Sequence, residues 1–263
     1  MRHYCLSIII GLTASVSVTA AEWGNLTMRF VYDGAVAAAK PIEAAAGPAA
    51  VGCGKGPFIE ERLLVDAKDK GVANVCVWLL RSEGDKPPPI HESYVKTAKD
   101  KVTMTNKNCR FEPRILVVRT TQTFVGANAD ATGHNMKADF FNPKNDGFNE
   151  TIPAGGQMMP KNIANPESSA STVSCGIHRW MYGYLLVRDD PYAAVSDAHG
   201  KLTLANLPVG TWTFVVWHES GFITKARQGG KPQDWGRTGR VQIAIKPGDN
   251  DRGEFLLPPD EFP

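Results

Sequence analysis

Apolar and polar residues alternate along most of this chain, in short runs bounded by Gly, Pro, Asn and Asp. That period of two predicts strands, and the 3.6-residue spacing of an amphipathic helix is nearly absent. The predicted strands are Leu26 to Tyr32, Arg62 to Val65, Asn74 to Leu80, Lys101 to Thr105, Arg114 to Arg119, Gln122 to Ala127, Thr172 to Ser174, Tyr182 to Arg188, Lys201 to Ala205, Thr211 to Trp217 and Arg240 to Ile245. Polar connections separate them at Ala35 to Lys55, Ser82 to Asp100 and Asn142 to Ser171. The expected fold class is all-β.

The stretch Asp197 to Phe214 reads mechanically. Asp-x-His-Gly makes a turn, Leu202 and Leu204 point inward from one strand, Pro208-Val209-Gly210 makes a second turn, and Trp212 and Phe214 point inward from the next. With Asn74-Val75-Cys76-Val77-Trp78-Leu79 it resembles the carboxypeptidase regulatory-like, or prealbumin-like, β-sandwich, in which only a short loop separates the two pieces. Here more than a hundred residues intervene. The expected layout is one sandwich from residues 21–100 and 189–263, interrupted by a second β domain over 101–188; two consecutive domains with no insertion are the alternative.

Composition changes the picture only at the N-terminus. Hydrophobic residues make up 43% and charged residues 21%, near globular averages, which excludes wholesale disorder and a multi-span membrane protein. A net charge of +2 with no basic run disfavours nucleic-acid binding, which needs a basic stripe to displace counterions. Residues 1–20 carry Arg2 and His3, an apolar stretch from Leu6 to Val18, and then Val18-Thr19-Ala20, the pattern of a cleaved signal peptide. The apolar stretch is too short to cross a bilayer core of roughly 30 Å, so stable membrane insertion is not expected. The protein is expected to be periplasmic or secreted. Removing this leader takes away Arg2, lowering +2 to +1, and Cys5, leaving Cys53, Cys76, Cys109 and Cys175 in an oxidising compartment.

The candidate chemistry lies in the middle segment. Cys175-Gly176-Ile177-His178-Arg179-Trp180-Met181 stands between two predicted strands, and Gly133-His134-Asn135 lies some forty residues upstream. A thiolate (Cys175), two imidazoles (His134 and His178) and a thioether (Met181) on loops at adjacent strand ends describe a site for one type 1 copper. The thiolate suits Cu(II) charge transfer, the imidazoles suit both oxidation states, and the thioether is a weak axial donor.

Residues 101–188 resemble a Greek-key cupredoxin. The run Asn106 to Val118, with Phe111-Glu112-Pro113 ahead of Ile115 and Val117, is similar to that family's strand entry, and the Cys-x2-His-x2-Met spacing resembles the short ligand loop of the amicyanins. Asn135 is similar to the family's Asn that ties the two ligand loops together. The whole chain looks like the secreted cupredoxin-like proteins often labelled methylamine utilisation proteins. Two departures stand out: Ile177 occupies a position where small cupredoxins commonly have Pro, and the long connection after Asn135 offers Met136, Met158 and Met159 as rival axial donors.

The resemblance implies an exported electron carrier with no enzyme activity of its own, exchanging single electrons with a redox partner protein docked near His178. A non-redox cell-surface module for adhesion or carbohydrate contact, and copper storage or delivery, are the alternatives. Zinc is a rival metal, but a thioether is a poor ligand for it. Of the three other cysteines at most one pair can bond. Cys53 and Cys109 sit in Gly/Asn/Lys-containing loops while Cys76 sits in an apolar strand, so Cys53–Cys109 is the expected pair, against two free thiols. His218-Glu219, at a strand end, is either a satisfied histidine or a second polar site.

Overall fold

A computed structural model describes residues 22–45, 50–54, 56, 58–82 and 84–263. The predicted leader lies outside the described residues. No helix among the described residues is long and apolar enough to cross a membrane. The described residues are all-β, with eighteen strands in four sheets and one four-residue α-helix, Glu92–Val95.

Two sheets come from the two ends of the chain. In one, Trp23–Tyr32 lies between Lys201–Pro208 and Gly248–Leu257, followed by Lys225–Gln228 and Lys231–Asp234. In the other, the order is Ala193–Val195, Cys76–Leu79, Gly210–His218 and Gly221–Phe222, with Arg240–Ile245 also on Gly210–His218. The remaining two sheets come from residues between Lys101 and Arg188. One is Ile115–Arg119, Tyr182–Arg188, Ser171–Ser174, His134–Ala138 and Phe148–Ile152; the other is Arg110–Glu112, Lys101–Lys107 and Thr123–Asn128.

Side-chain alternation assigns each face to a different core. In Cys76–Leu79, Val77 and Leu79 join an outer cluster with Leu26, Phe30, Leu202, Leu204 and Phe214, whereas Cys76 and Trp78 point the other way. Those two pack with Val215, Trp217, Ile115 and Leu186, which joins the outer sandwich to the inner five-stranded sheet. The inner sheet's opposite face, through Val118, Leu185 and Val187, meets Met104, Phe111 and Phe124 of the three-stranded sheet. This strand is buried on both faces because it is shared between layers. Burial drives the free Cys76 thiol pKa far up, so it stays a protonated small hydrophobe.

The structure departs from expectation where alternation misleads. Arg62 to Val65 forms no strand: only Val65 pairs, with Val72. Asp66 accepts bonds from the backbone N–H of Lys68 (2.8 Å) and Asp69 (3.0 Å), and the chain reverses at once. Trp212 is half-buried rather than core. The connection Asn142 to Ser171 contains the strand Phe148–Ile152, and its Met-bearing stretch lies along Thr123–Asn128 through bridges Phe124–Lys161 and Ala127–Gln157.

Candidate metal centre

His134 is the first residue of the strand His134–Ala138, rather than a loop residue, and its ring is fully buried. The loop that follows Ser171–Ser174 folds back to it. Cys175 N–H donates to Met181 O (3.3 Å) and Met181 N–H to His178 O (2.9 Å), closing the seven residues into a tight turn. Cys175 Sγ lies 3.8 Å from His134 Nδ1 and 3.9 Å from His178 Nδ1, and the three donors fall within 4.8 Å of one another. Bond lengths of about 2.0 Å to nitrogen and about 2.3 Å to sulfur, opened by a tetrahedral to trigonal angle, put such a nitrogen and sulfur ~3.5–3.7 Å apart, within about 0.2 Å of the observed spacing. The spacing therefore fits a metal held by His134, Cys175 and His178. Met181 is buried beside Cys175 in the same apolar cluster. The rival thioethers are occupied elsewhere: Met136 and Met158 pack their sulfurs against Gly126, and Met159 is 72% exposed.

Second-layer hydrogen bonds fix this arrangement. Asn135 Oδ1 accepts from the backbone N–H of Gly176 (2.7 Å) and Ile177 (3.3 Å), joining the two ligand segments. The His178 N–H donates to Cys175 Sγ (3.4 Å). Burial pushes the Cys175 thiol up, but hydrogen bonding with His134 and from the His178 amide outweighs it and the pKa falls, favouring the thiolate a metal needs. Burial likewise pushes His134 down, and its bonds to Cys175 and Asp130 reverse that to a raised pKa.

Asp130 has no counterpart among the residues the sequence singled out. Its Oδ2 accepts from His134 Nε2 (2.8 Å) and from the Cys109 N–H (2.9 Å), and its Oδ1 from the Asn108 N–H (2.6 Å). Asn108 and Cys109 both have positive φ, 53° and 48°, as the central pair of a two-residue hairpin between Lys107 and Arg110. One carboxylate thus holds a left-handed turn and orients an imidazole, leaving His134 Nδ1 to face Cys175.

Cys53 and Cys109 form a disulfide. It lies against the centre, with Cys109 Sγ 3.7 Å from His134 Nε2 and both sulfurs within 4.8 Å of a His178 ring nitrogen. His178 is 4% exposed, so its ring edge is not itself a surface port. The exposed apolar side chains nearby in sequence are Ile177 and Tyr182. Trp180 stands edge-on to His178, ring centroids 5.3 Å apart, and with Met181 and Cys109 forms one wall of a cleft of about 460 Å³. Glu61, Arg114 and Glu219 line its other side.

The second histidine site resolves into separate roles. Glu219 pairs with Arg114, while His218 is 1% exposed, with Nδ1 accepting from the Ser220 N–H (3.2 Å) and its ring edge-on to Phe262. Burial, then the charges of Arg114 and Arg62, lower its pKa to about 3 from an ordinary 6.5. The unfolded chain takes up that proton near pH 6.5 and the folded chain does not, so stability should fall by about 1.4 kcal/mol per pH unit below 6.5. Urea titrations at pH 6.5 and 5 should show His218→Phe losing roughly 2 kcal/mol less than the parent over that interval; equal losses would remove His218 from the account.

No protein-family model matches this chain. No curated protein matches it either. Part of the chain is similar to solved structures. The Cu-containing nitrite reductase of Thermus scotoductus SA-01 aligns at 18% identity over 41% of this chain and 25% of its own, TM-score 0.30. A reduced Cu(I) amicyanin variant at pH 4 aligns at 16% identity over 40% and 95%, TM-score 0.29. A purple cupredoxin from Nitrosopumilus maritimus aligns at 17% identity over 34% and 99%, TM-score 0.27. The chain spans about a quarter of the nitrite reductase. At such scores, what the centre does rests on its own geometry.

Proposed function

We propose that this protein is an exported one-electron carrier whose inner unit, residues 101–188, holds one type 1 copper through His134, Cys175 and His178, with Met181 as the weak axial donor. The carrying observation is the convergence of one sulfur and two imidazole nitrogens at 3.8 and 3.9 Å in a buried pocket. Copper there would cycle between Cu(I) and Cu(II).

The protein's own residues supply the rest. Asp130 and Asn135 hold the ligands in place, which keeps rearrangement small when charge changes. Burial excludes water from the sulfur, and no group in the reading transforms a substrate. A redox partner docks on the side of the ligand loop carrying Ile177 and Tyr182, close to His178 but not on its ring edge.

Purified protein loaded with Cu(II) should show an intense visible band and the narrow paramagnetic hyperfine pattern of a thiolate-bound copper. A colourless loaded protein ends the reading. Met181→Leu should keep the colour and raise the reduction potential in cyclic voltammetry, because removing a weak electron-pair donor favours Cu(I); an unchanged potential would show that Met181 is not axial.

A further inference from the structure

Five soft or borderline donors share one buried pocket. Besides His134, Cys175 and His178, the sulfurs of Cys53 and Cys109 lie within 4.8 Å of a His178 ring nitrogen, and Cys109 with Asp130 and His134 makes a third overlapping group. All five residues are at most 4% exposed. While bonded to each other, Cys53 and Cys109 carry no thiolate and cannot hold a metal. Separated, they are two thiolates beside an imidazole, a set that selects Cu(I) by softness.

We propose that Cys53 and Cys109 are a latent second copper site: reduced, their two thiolates hold a Cu(I) ion beside His178 and next to the first centre, so the redox state of this pair sets how much copper the protein carries. The word "second" rests on the copper reading above. The step balances with an external dithiol as reductant. The dithiol passes two electrons and two protons to the S–S bond and leaves as its own disulfide. The two thiols formed then each lose a proton as Cu(I) binds.

Cys53 stands between Gly52 and Gly54, whose φ of 85° and 82° and close approach to Thr132 and Asn108 require glycine. The Cys109 N–H is held by Asp130. Both sulfurs are therefore kept in register with the centre. The disulfide also lies against the centre, with Cys109 Sγ 3.7 Å from His134 Nε2 and both sulfurs within 4.8 Å of a His178 ring nitrogen.

The test counts copper. The full chain is taken either as isolated or reduced in denaturant and refolded without oxygen, and a gain of two free thiols confirms reduction. Each form is titrated with Cu(I) against the chelator bathocuproine disulfonate. The expected result is one tight equivalent as isolated and two after reduction. Cys53→Ser/Cys109→Ser should bind one in both conditions. Cys175→Ser should bind no tight equivalent as isolated and one after reduction, a readout that does not depend on the double variant folding. One equivalent before and after reduction overturns the proposal. If the isolated chain binds none while the reduced chain binds one that the double variant lacks, the latent site stands and the Cys175 centre fails.

Discussion

Copper-loaded Cys175→Ser protein is expected to be colourless. A serine hydroxyl at this position has no low-lying sulfur electrons to transfer to Cu(II), so the visible band should be lost rather than shifted. Affinity should fall as well, because the alkoxide needed to replace a thiolate is far harder to form: the parent thiol is already lowered by its bonds with His134 and the His178 amide. Folding should persist, since Ser fills nearly the same volume and keeps the loop closed through the Cys175–Met181 backbone pair. Visible absorption and far-UV circular dichroism on the same sample separate the two effects. A Ser variant that stays coloured would place the copper elsewhere, and one that unfolds would make the loss uninformative about ligation.

The largest stability loss is expected from Glu219→Ala. Glu219, at 3% side-chain exposure, receives Arg114 Nε at 2.6 Å and Nη2 at 2.7 Å, a bidentate pair across the junction between the outer sandwich and the inner sheet. Without it the guanidinium keeps only Glu61 and the Tyr182 carbonyl, each at 3.3 Å. A buried charge deprived of its main partner costs about 3–5 kcal/mol, and Glu219→Gln, which retains an acceptor, should cost less. Urea denaturation of the metal-free protein reads both. A loss below about 1 kcal/mol would mean the pair behaves as a surface ion pair. Because Arg114 also bonds the residue after Met181, the same variant should broaden the copper signal.

Tyr182–Arg188 and Arg240–Ile245 begin and end where the sequence placed them, the second through alternating faces and the first through an apolar run buried on both faces from Leu185 on. Gly248–Leu257 did not announce itself, because Gly-Asp-Asn-Asp-Arg-Gly-Glu has no apolar period; it is a strand because Trp23–Tyr32 supplies a parallel partner. Edge strands such as Lys231–Asp234 are exposed along their length and leave no pattern to read. The sequence singled out His134, Cys175, His178 and Met181 because their residue types and spacing are uncommon together, and the structure brings the first three within 4.8 Å of one another. Asp130 was not: an acid four residues before a histidine is ordinary in sequence, and only the hairpin that turns Asn108 and Cys109 toward it gives it a task. That Cys53 and Cys109 would pair could be argued by elimination, but where the bond would lie depended on two loops fifty-six positions apart.

The pairing of Trp23–Tyr32 with strands that begin at Lys201 and Gly248 sets an order of events for a chain made from its N-terminus. Beyond its short bridge to Gly71, the first strand lacks its ladder partners until almost the whole polypeptide is available, whereas residues 101 to 188 contain every partner of their own two sheets. The unit that brings His134, Cys175 and His178 together can therefore close early, and the outer layers assemble around a finished guest.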